Sequence, residues 1–397
     1  MTRDCIVAGV IGELLLAAAG LLWLGFGIAV RGSARRLRPL PEHDPAHDRD
    51  APPLVSVVLA VRNEAEHIER TVRHLFAQRA TTLEIVVADD RSDDATPAVL
   101  ARLQQEWPHL RVVRIESLPD GWLGKCHALH EGARQATADW LLFVDGDVWL
   151  RDDVVRRAVE AAGDLHVAHL ALTPDVRPVD GRAPSFAFQA CLIPLQALLG
   201  LAIDRANRDH PRGFAGIGAF NMIRADVYRG FGGHHAIRMD VADDMKLGLL
   251  VRRAGQRTRV FLGGEDAHCP WAVDVRGIVR VLEKNNFAAV EYRTGRAVAA
   301  TLGAATLWLA GVLGPFSGGP GGLLAGLGLL SLSAGGIAIA RADRFSPLAG
   351  LLMPLMLSFG AVTLWNSVLA TLRQGGIRWR GTFYPLEALR RGALPFL

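Results

Sequence analysis

Ala138-Asp139-Trp140-Leu141-Leu142-Phe143-Val144-Asp145-Gly146-Asp147-Val148 decides how the rest of the chain is read. Residues 140–144 form an unbroken apolar run bounded by polar residues, the pattern of a central strand with both faces covered. The run ends in two carboxylates one residue apart. Ligands of open α/β sheets collect at the carboxyl ends of their strands. Asp-X-Asp there offers two hard oxygen ligands, and Mg²⁺ favours one or two carboxylates with waters and substrate phosphates filling the rest. Asp-Gly also makes ordinary turns. The metal reading therefore rests on other acidic clusters and a lysine that fall at supporting places.

Residues 54–61 are the first strand and lead into Arg62-Asn63-Glu64, then an amphipathic helix around Ile68, Val72 and Leu75. The next strand, 83–88, ends in Asp89-Asp90-Arg91-Ser92-Asp93-Asp94, and a helix to Trp107 and a strand at 112–115 follow. Strand, polar turn, helix, strand is the rhythm of a parallel sheet. Ser92 or Asp93 suits a helix cap; two consecutive aspartates at a strand end exceed what a cap needs. In Trp122-Leu123-Gly124-Lys125-Cys126-His127 a glycine-flanked lysine enters a helix, where charge and helix amino terminus both suit a diphosphate. One helix length later comes the Asp145-Gly146-Asp147 strand end, so both can meet one ligand.

Composition narrows the class. The 397 residues hold room for one large domain and added elements, and the apolar mass is uneven. Only Lys125, Lys246 and Lys284 are lysines among 44 basic residues, and many arginines flank apolar segments, which suits anionic membrane surfaces. No nucleic-acid motif is present. Cys5, Cys126, Cys191 and Cys269 contain no Cys-X-X-Cys, so neither a zinc site nor a disulfide framework is indicated, in keeping with a reducing cytosol.

Residues 6–30 are apolar except for Glu13, long enough to span a bilayer and unlike a cleavable signal peptide. Arg31, Arg35, Arg36 and Arg38 follow, which puts the amino terminus outside and residue 31 onward in the cytosol. Glu13 should face another helix or lie near the surface. The proline-rich residues 39–53 read as linker. Residues 186–203 are apolar enough to cross, but a crossing would put Asp147 and Asp244 on opposite sides; an in-plane interfacial helix that guides a lipid is preferred. Residues 297–316, 321–340 and 347–370 read as three further spans. Three spans put the tail outside, whereas Arg373, Arg378, Arg380, Arg390 and Arg391 favour the inside, so its side stays open; Trp379, Phe383 and Tyr384 suggest an interface. The expected partition is 1–31 transmembrane helix, 32–53 linker, 54–262 catalytic domain, 263–296 interfacial helices, 297–372 three spans and 373–397 amphipathic tail. His234, His235 and His268 lack tight ligand spacing and are expected at the surface or the acceptor site.

Val61-Arg62-Asn63-Glu64, Asp89-Asp90-Arg91-Ser92-Asp93-Asp94, Gly124-Lys125-Cys126-His127-Ala128-Leu129 and Asp145-Gly146-Asp147 together resemble glycosyltransferase family 2. The resemblance continues through Gly216-Ile217-Gly218-Ala219-Phe220-Asn221, Gly232-Gly233-His234 and Ala242-Asp243-Asp244-Met245-Lys246, and covers about residues 54–262. It implies an α/β GT-A fold with a mostly parallel sheet and a nucleotide-diphosphate sugar donor, expected to be a UDP-sugar. It further implies that Arg62, Glu64, Asp89 and Asp90 bind the nucleotide sugar, with Asp90 beside Asp89 at the uracil and ribose. Lys125 would lie along the donor. Asp145 would touch ribose or metal, and Asp147 would be the direct ligand of Mg²⁺ or Mn²⁺. Inverting sugar transfer also needs a general base. The resemblance implies Asp244, second acid of Asp243-Asp244, where the family usually has Glu-Asp. An acidic pair opening a helix is also favoured by the helix dipole alone.

The amino-terminal helix and carboxy-terminal membrane block look most like ceramide, hopanoid-associated and carotenoid glycosyltransferases. Processive polysaccharide synthases of this family carry Gln-X-X-Arg-Trp. This chain has Val281-Leu282-Glu283-Lys284-Asn285-Asn286 there, and its nearest match, Gln374-Gly375-Gly376-Ile377-Arg378-Trp379, is one residue too long. The expectation is a membrane enzyme that moves one sugar to a lipid acceptor with inversion. The alternatives are a processive polysaccharide synthase and, in another class, a non-catalytic membrane scaffold; the full set of acids stands against the scaffold. A nucleotidyltransferase would need a glycine-rich loop after the first strand, which is missing.

Overall fold

A computed structural model describes residues 3–46, 51–177 and 183–396. Residues 47–50 of the expected linker and 178–182 of the expected catalytic domain lie outside them. The chain divides into two units: one of residues 1–37, 183–204 and 272–370, the other of residues 38–182, 205–271 and 371–397. The second is built on a sheet.

Its strands are β1 (Leu54–Val61), β2 (Thr82–Asp90), β3 (Arg111–Ile115), β4 (Trp140–Phe143), β5 (Trp149–Leu150), β6 (His169–Thr173), β7 (Asn221–Arg224), β8 (Thr258–Leu262), β9 (Ala267–His268), β10 (Gly376–Trp379) and β11 (Thr382–Pro385). The main sheet has the order β3-β2-β1-β4-β7-β6-β8. β1 pairs in parallel with β2 and β4, while β7 runs antiparallel to β4 and β6. Val55, Val57, Val58 and Leu59 of β1 are fully buried, as an interior strand covered on both faces requires. The helix Ile68–Phe76 buries Ile68, Val72 and Leu75, the i, i+4, i+7 stripe of its sequence. Each such side chain contributes about 1.5–3 kcal/mol on leaving water. The helix Gly124–Arg134 lies so close to the sheet that a Cβ on Gly132 would sit 2.6 Å from Val58 Cγ1. β1, β2 and β4 are parallel neighbours, so the residues after each emerge along one edge. β1 takes β2 on one side and β4 on the other, the crevice at which such sheets bind ligands.

Three segments expected outside the catalytic domain belong to this unit, one of them residues 263–271, which carry β9 where interfacial helices were expected. Residues 38–46 are no free linker. The Arg38 carbonyl accepts the Leu262 N–H at 2.8 Å, and Leu40 is buried. The guanidinium of buried Arg157 donates to the carbonyls of Leu40 (2.9 Å) and Pro41 (2.8 Å) and pairs with Asp266 at 2.7 Å. A buried cation must be satisfied, and these carbonyls satisfy it. The carboxy-terminal tail is likewise more than an amphipathic membrane-surface segment. It folds as a β10–β11 hairpin and a short helix, Leu386–Gly392, with Ile377, Tyr384 and Leu389 buried in the sheet unit.

The other unit is helical. Among the described residues, five helices are long and apolar enough to cross a membrane: Val7–Arg36, Phe186–Asn207, Thr294–Ser317, Pro320–Ala342 and Met353–Gln374. The first and fourth run side by side through small residues, with Gly20 against Leu324 and Ala325, Gly27 against Ser331 and Gly335 against Val30. Glu13 faces a neighbouring helix as its cost demands. It accepts the Gly321 N–H at 2.8 Å and the Ser317 hydroxyl at 3.1 Å, where unpaired amides begin the fourth helix. Arg36 closes the other end on Asp204 at 2.6 and 2.9 Å. The segment expected as one span at 347–370 is broken into Pro347–Leu351 and Met353–Gln374.

Candidate active site

The loops after β1, β2 and β4 interlock. Asn63, held at φ 55°, donates its backbone N–H to Ser92 Oγ at 2.9 Å, and its side chain pairs with Asp93 at 2.6 and 3.0 Å. Asp89 and Asp90 then part. Asp89 is buried and accepts the Ser92 N–H at 3.2 Å and the Arg114 guanidinium. Expected to hold nucleotide, it is instead engaged with protein partners at both oxygens, because successive strand residues face opposite ways. Asp90 receives Arg91 at 2.7 and 3.0 Å, with Arg62 at 3.8 Å. Gly124 passes so close that a Cβ there would collide with the Asp90 carboxylate, which brings the Lys125 helix onto the same edge.

Lys125 joins the motifs. Its Nζ is 2.8 Å from Asp145 Oδ1 and 3.4 Å from Asp243 Oδ2. Burial pulls its pKa down, but Asp145, Asp243 and Asp244 outweigh that and hold the ammonium well above its ordinary range. Asp244 Oδ2 accepts the Gly218 N–H at 2.9 Å and Oδ1 its neighbour Met245's N–H at 2.7 Å. A Cβ on Gly218 would stand 2.8 Å from Asp145 Oδ2 and 3.5 Å from Asp244 Oδ2, so the two acids approach one another across a bare backbone. Burial raises the Asp244 pKa against the pull of Lys125.

Asp147 is pushed up to about 6, first by burial, then by Asp145 and Glu64. No group of three or more His, Cys, Asp and Glu capable of holding a metal occurs among the described residues. Two carboxylates at a strand end still fit Mg²⁺ or Mn²⁺ with phosphate oxygens completing the shell. The electrostatic strain on Asp147 is the kind a cation relieves. Glu64 is buried and pairs with Arg380 of the tail.

Three features were not legible in the sequence. His234, expected at the surface or acceptor site, is fully buried. Its Nδ1 bonds Tyr228 at 2.8 Å, and its Nε2 is 4.0 Å from Asp243 Oδ2. Burial first, then Lys125, drives its pKa down to about 3, so it backs Asp243 as a neutral ring. His268 stacks on Trp149 with ring centroids 5.1 Å apart, under Arg70 at 3.6 Å from the Trp149 ring. Arg380 and Tyr384, which follow the last of the long apolar helices in the chain, reach the cleft. The stretch Trp379-Arg380-Gly381-Thr382 closes the β10–β11 hairpin, and nothing local in its sequence says where it docks.

Residues 56–231 match the family model described as Glycosyl transferase family 2. Succinoglycan biosynthesis protein ExoO of Rhizobium meliloti is 35% identical over 159 residues, 40% of this chain and 44% of that protein. Beta-monoglucosyldiacylglycerol synthase of Synechocystis is 32% identical over 146 residues, 35% of this chain and 30% of that protein. The chain thus spans less than half the length of these two relatives. 4,4'-diaponeurosporenoate glycosyltransferase of Staphylococcus aureus is 21% identical over 351 residues, covering 84% of this chain and 88% of that protein. Among solved structures, a mannosyltransferase from Pyrobaculum calidifontis in complex with GDP-Man and Mn2+ superposes with a TM-score of 0.51 at 19% identity, covering 89% of this chain and 99% of that one. The fold is GT-A, as the sequence led one to expect.

Proposed function

The chain carries a glycosyl transferase family 2 domain, and we propose that it moves one sugar from a nucleotide-diphosphate sugar, expected to be a UDP-sugar, to a lipid acceptor with inversion. The observation that carries this is the convergence on Lys125 of Asp145, Asp243 and Asp244, drawn from two distant motifs onto the ligand-binding edge of the sheet. Asp90 with Arg62 receives the nucleoside end, and Lys125 lies along the donor. Mg²⁺ or Mn²⁺, held by Asp147 and Asp145, would neutralise charge growing on the departing diphosphate. Asp244 takes the acceptor proton as the acceptor oxygen bonds to the anomeric carbon. The bond from that carbon to the phosphate oxygen breaks on the opposite face, and the nucleoside diphosphate leaves with the electron pair. The Gly218 and Met245 amides orient the Asp244 carboxylate for this role. The lipid acceptor is supported by the relatives named for diacylglycerol and carotenoid products and by the apolar helices.

The chain trace supports a catalytic domain on one side, and the arginines after the first apolar helix favour the cytosolic one. β6 precedes the helix Phe186–Asn207 while β7 and β8 follow it, yet all three share one sheet. A helix with both flanks in one folded domain makes no net crossing, which favours the in-plane arrangement. The same parity applies to residues 272–370, since β8 and the β10–β11 hairpin belong to one unit. Helices Thr294–Leu313 and Pro320–Ala342 supply two crossings. The chain then enters along Pro347–Leu351 and returns along Met353–Gln374. Ser333 Oγ bonds the Leu351 carbonyl (2.9 Å) and Trp308 Nε1 the Pro354 carbonyl (2.9 Å), so the break lies within the helix bundle. This re-entrant path keeps the arginine-rich tail inside, removing the conflict between span count and charge.

Incubating the detergent-solubilised chain with radiolabelled UDP- and GDP-sugars and membrane lipids, with Mg²⁺ or Mn²⁺, tests the reading. A single-sugar lipid product whose formation stops in EDTA is expected. Polymer product, or full turnover in EDTA, would overturn the acceptor or the metal assignment respectively. For topology, Ser317→Cys should label from outside intact cells and Asp120→Cys should not.

A further inference from the structure

β10 and β11 are joined by only Arg380 and Gly381, at φ 47° and 76°. Two-residue hairpin loops with both residues at positive φ favour Asn-Gly, Asp-Gly or Gly-Gly. A long side chain in the left-handed region is uncommon, and such residues persist where the surroundings over-determine them. The guanidinium supplies the reason. Arg380 Nη2 pairs with the Glu64 carboxylate, and Nη1 donates to the Arg62 carbonyl, both in the loop that follows β1. Thr382 Oγ1 accepts from Arg62 Nη1 at 3.1 Å, and the same Nη1 lies 3.8 Å from Asp90 Oδ2. Tyr384, itself buried, accepts the Gly124 N–H at 3.0 Å, the amide that opens the Lys125 helix. One hairpin therefore meets the loop after β1 and the Lys125 helix at once. The Arg380 side chain stays 45% exposed, while Glu64 beneath it is 10% exposed. Arg380 also reaches electrostatically to Asp147, opposing the effect of burial there.

We propose that the hairpin of residues 376–385 is part of the donor site and that Arg380 binds the donor's diphosphate, an inference that rests on the donor reading above. A guanidinium fork meets phosphate oxygens in a planar, bidentate way. Glu64 and the Arg62 carbonyl hold that fork at the strand ends where Asp145 and Asp147 emerge. The strained turn aims it, and Tyr384 fixes the hairpin against the helix that carries the other cation, Lys125.

Arg380→Gly tests this, because glycine relaxes the left-handed position while removing the charge. Binding of UDP, GDP, uridine and guanosine to the full chain in Mg²⁺ is measured by calorimetry, with thermal unfolding alongside. Relaxing the turn offsets the lost Glu64 pair, so Arg380→Gly should unfold close to the wild-type temperature. It should bind the preferred diphosphate about 10- to 100-fold more weakly, the effect of losing a charge-assisted hydrogen bond. Its affinity for the matching nucleoside should stay within about twofold, since no phosphate is present to lose a contact. Arg380→Lys should recover part of the diphosphate affinity. Diphosphate binding equal to wild type, or an equal loss for diphosphate and nucleoside, overturns the assignment. Should Arg380→Gly unfold early, Arg380→Gln and Arg380→Lys decide: equal diphosphate affinity in the two would overturn it, and a selective loss in the glutamine variant would uphold it. If the wild-type chain binds neither UDP nor GDP, the donor reading itself fails, and this assignment falls with it.

Discussion

Two adjacent pairs of aspartates border the cleft, and they divide their work by different geometry. Asp89-Asp90 closes strand β2, where neighbours face opposite ways. Asp89 turns inward to Arg114 and the Ser92 amide, and Asp90 turns to Arg91 and Arg62. Asp243-Asp244 opens the helix Asp243–Arg253, where consecutive residues lie only about 100° apart around the axis. Both stay at the cleft: Asp243 beside Lys125 and His234, Asp244 against the Gly218 and Met245 amides. A strand end thus separates Asp89, a brace, from Asp90, which meets Arg91 and Arg62 at the cleft. A helix start keeps two acids coupled through one cation.

The largest test of that contrast is Asp244→Asn. It is nearly isosteric and keeps a carbonyl acceptor for one of the Gly218 and Met245 amides. Turnover should fall by about 10²–10⁴, the scale of a lost general base, while donor affinity stays within about threefold. Asp243→Asn removes one of three carboxylates from Lys125 and should slow transfer less. Steady-state transfer and UDP calorimetry measure both, and the reverse ranking would assign the base to Asp243. Next in size is Asp90→Asn. Nucleotide affinity should drop about tenfold because an anionic acceptor is lost, and turnover at saturating donor should hold. Equal affinity for UDP in wild type and variant would remove Asp90 from the donor site. The smallest effect belongs to Asp89→Asn. Arg114 is 44% exposed, so the ion pair is screened by solvent, and the Ser92 amide keeps an acceptor. Denaturant unfolding should show a loss of about 1 kcal/mol. A selective loss of UDP affinity without loss of stability would instead make Asp89 a ligand-facing residue like Asp90.

Legibility followed the range of the signal. β1, β2 and β4 with their terminal acids were evident because apolar runs, strand ends and helix starts are local patterns, and parallel pairing then brings like ends together. The same local patterns misplaced segments whose partners are remote. Residues 38–46 look like a proline-rich linker, but the Leu40 and Pro41 carbonyls bind buried Arg157, and backbone acceptors leave no mark in a side-chain sequence. His234 looks like one of several scattered histidines, and only packing against Tyr228 and Phe143 makes it a buried neighbour of Asp243.

The order of residues therefore carried the sheet, the acids at its edge and the apolar helices, because each depends on spacing within a few turns of chain. Which acids stay at the cleft and which brace a loop depended on side-chain direction and on the cations that reached them. Residue 380 meeting residue 64, and the tail folding into the sheet unit, arise from contacts between residues far apart in the chain. The gain there comes from burying Ile377, Tyr384 and Leu389 and pairing Arg380 with Glu64, terms that exist only once the two surfaces are together.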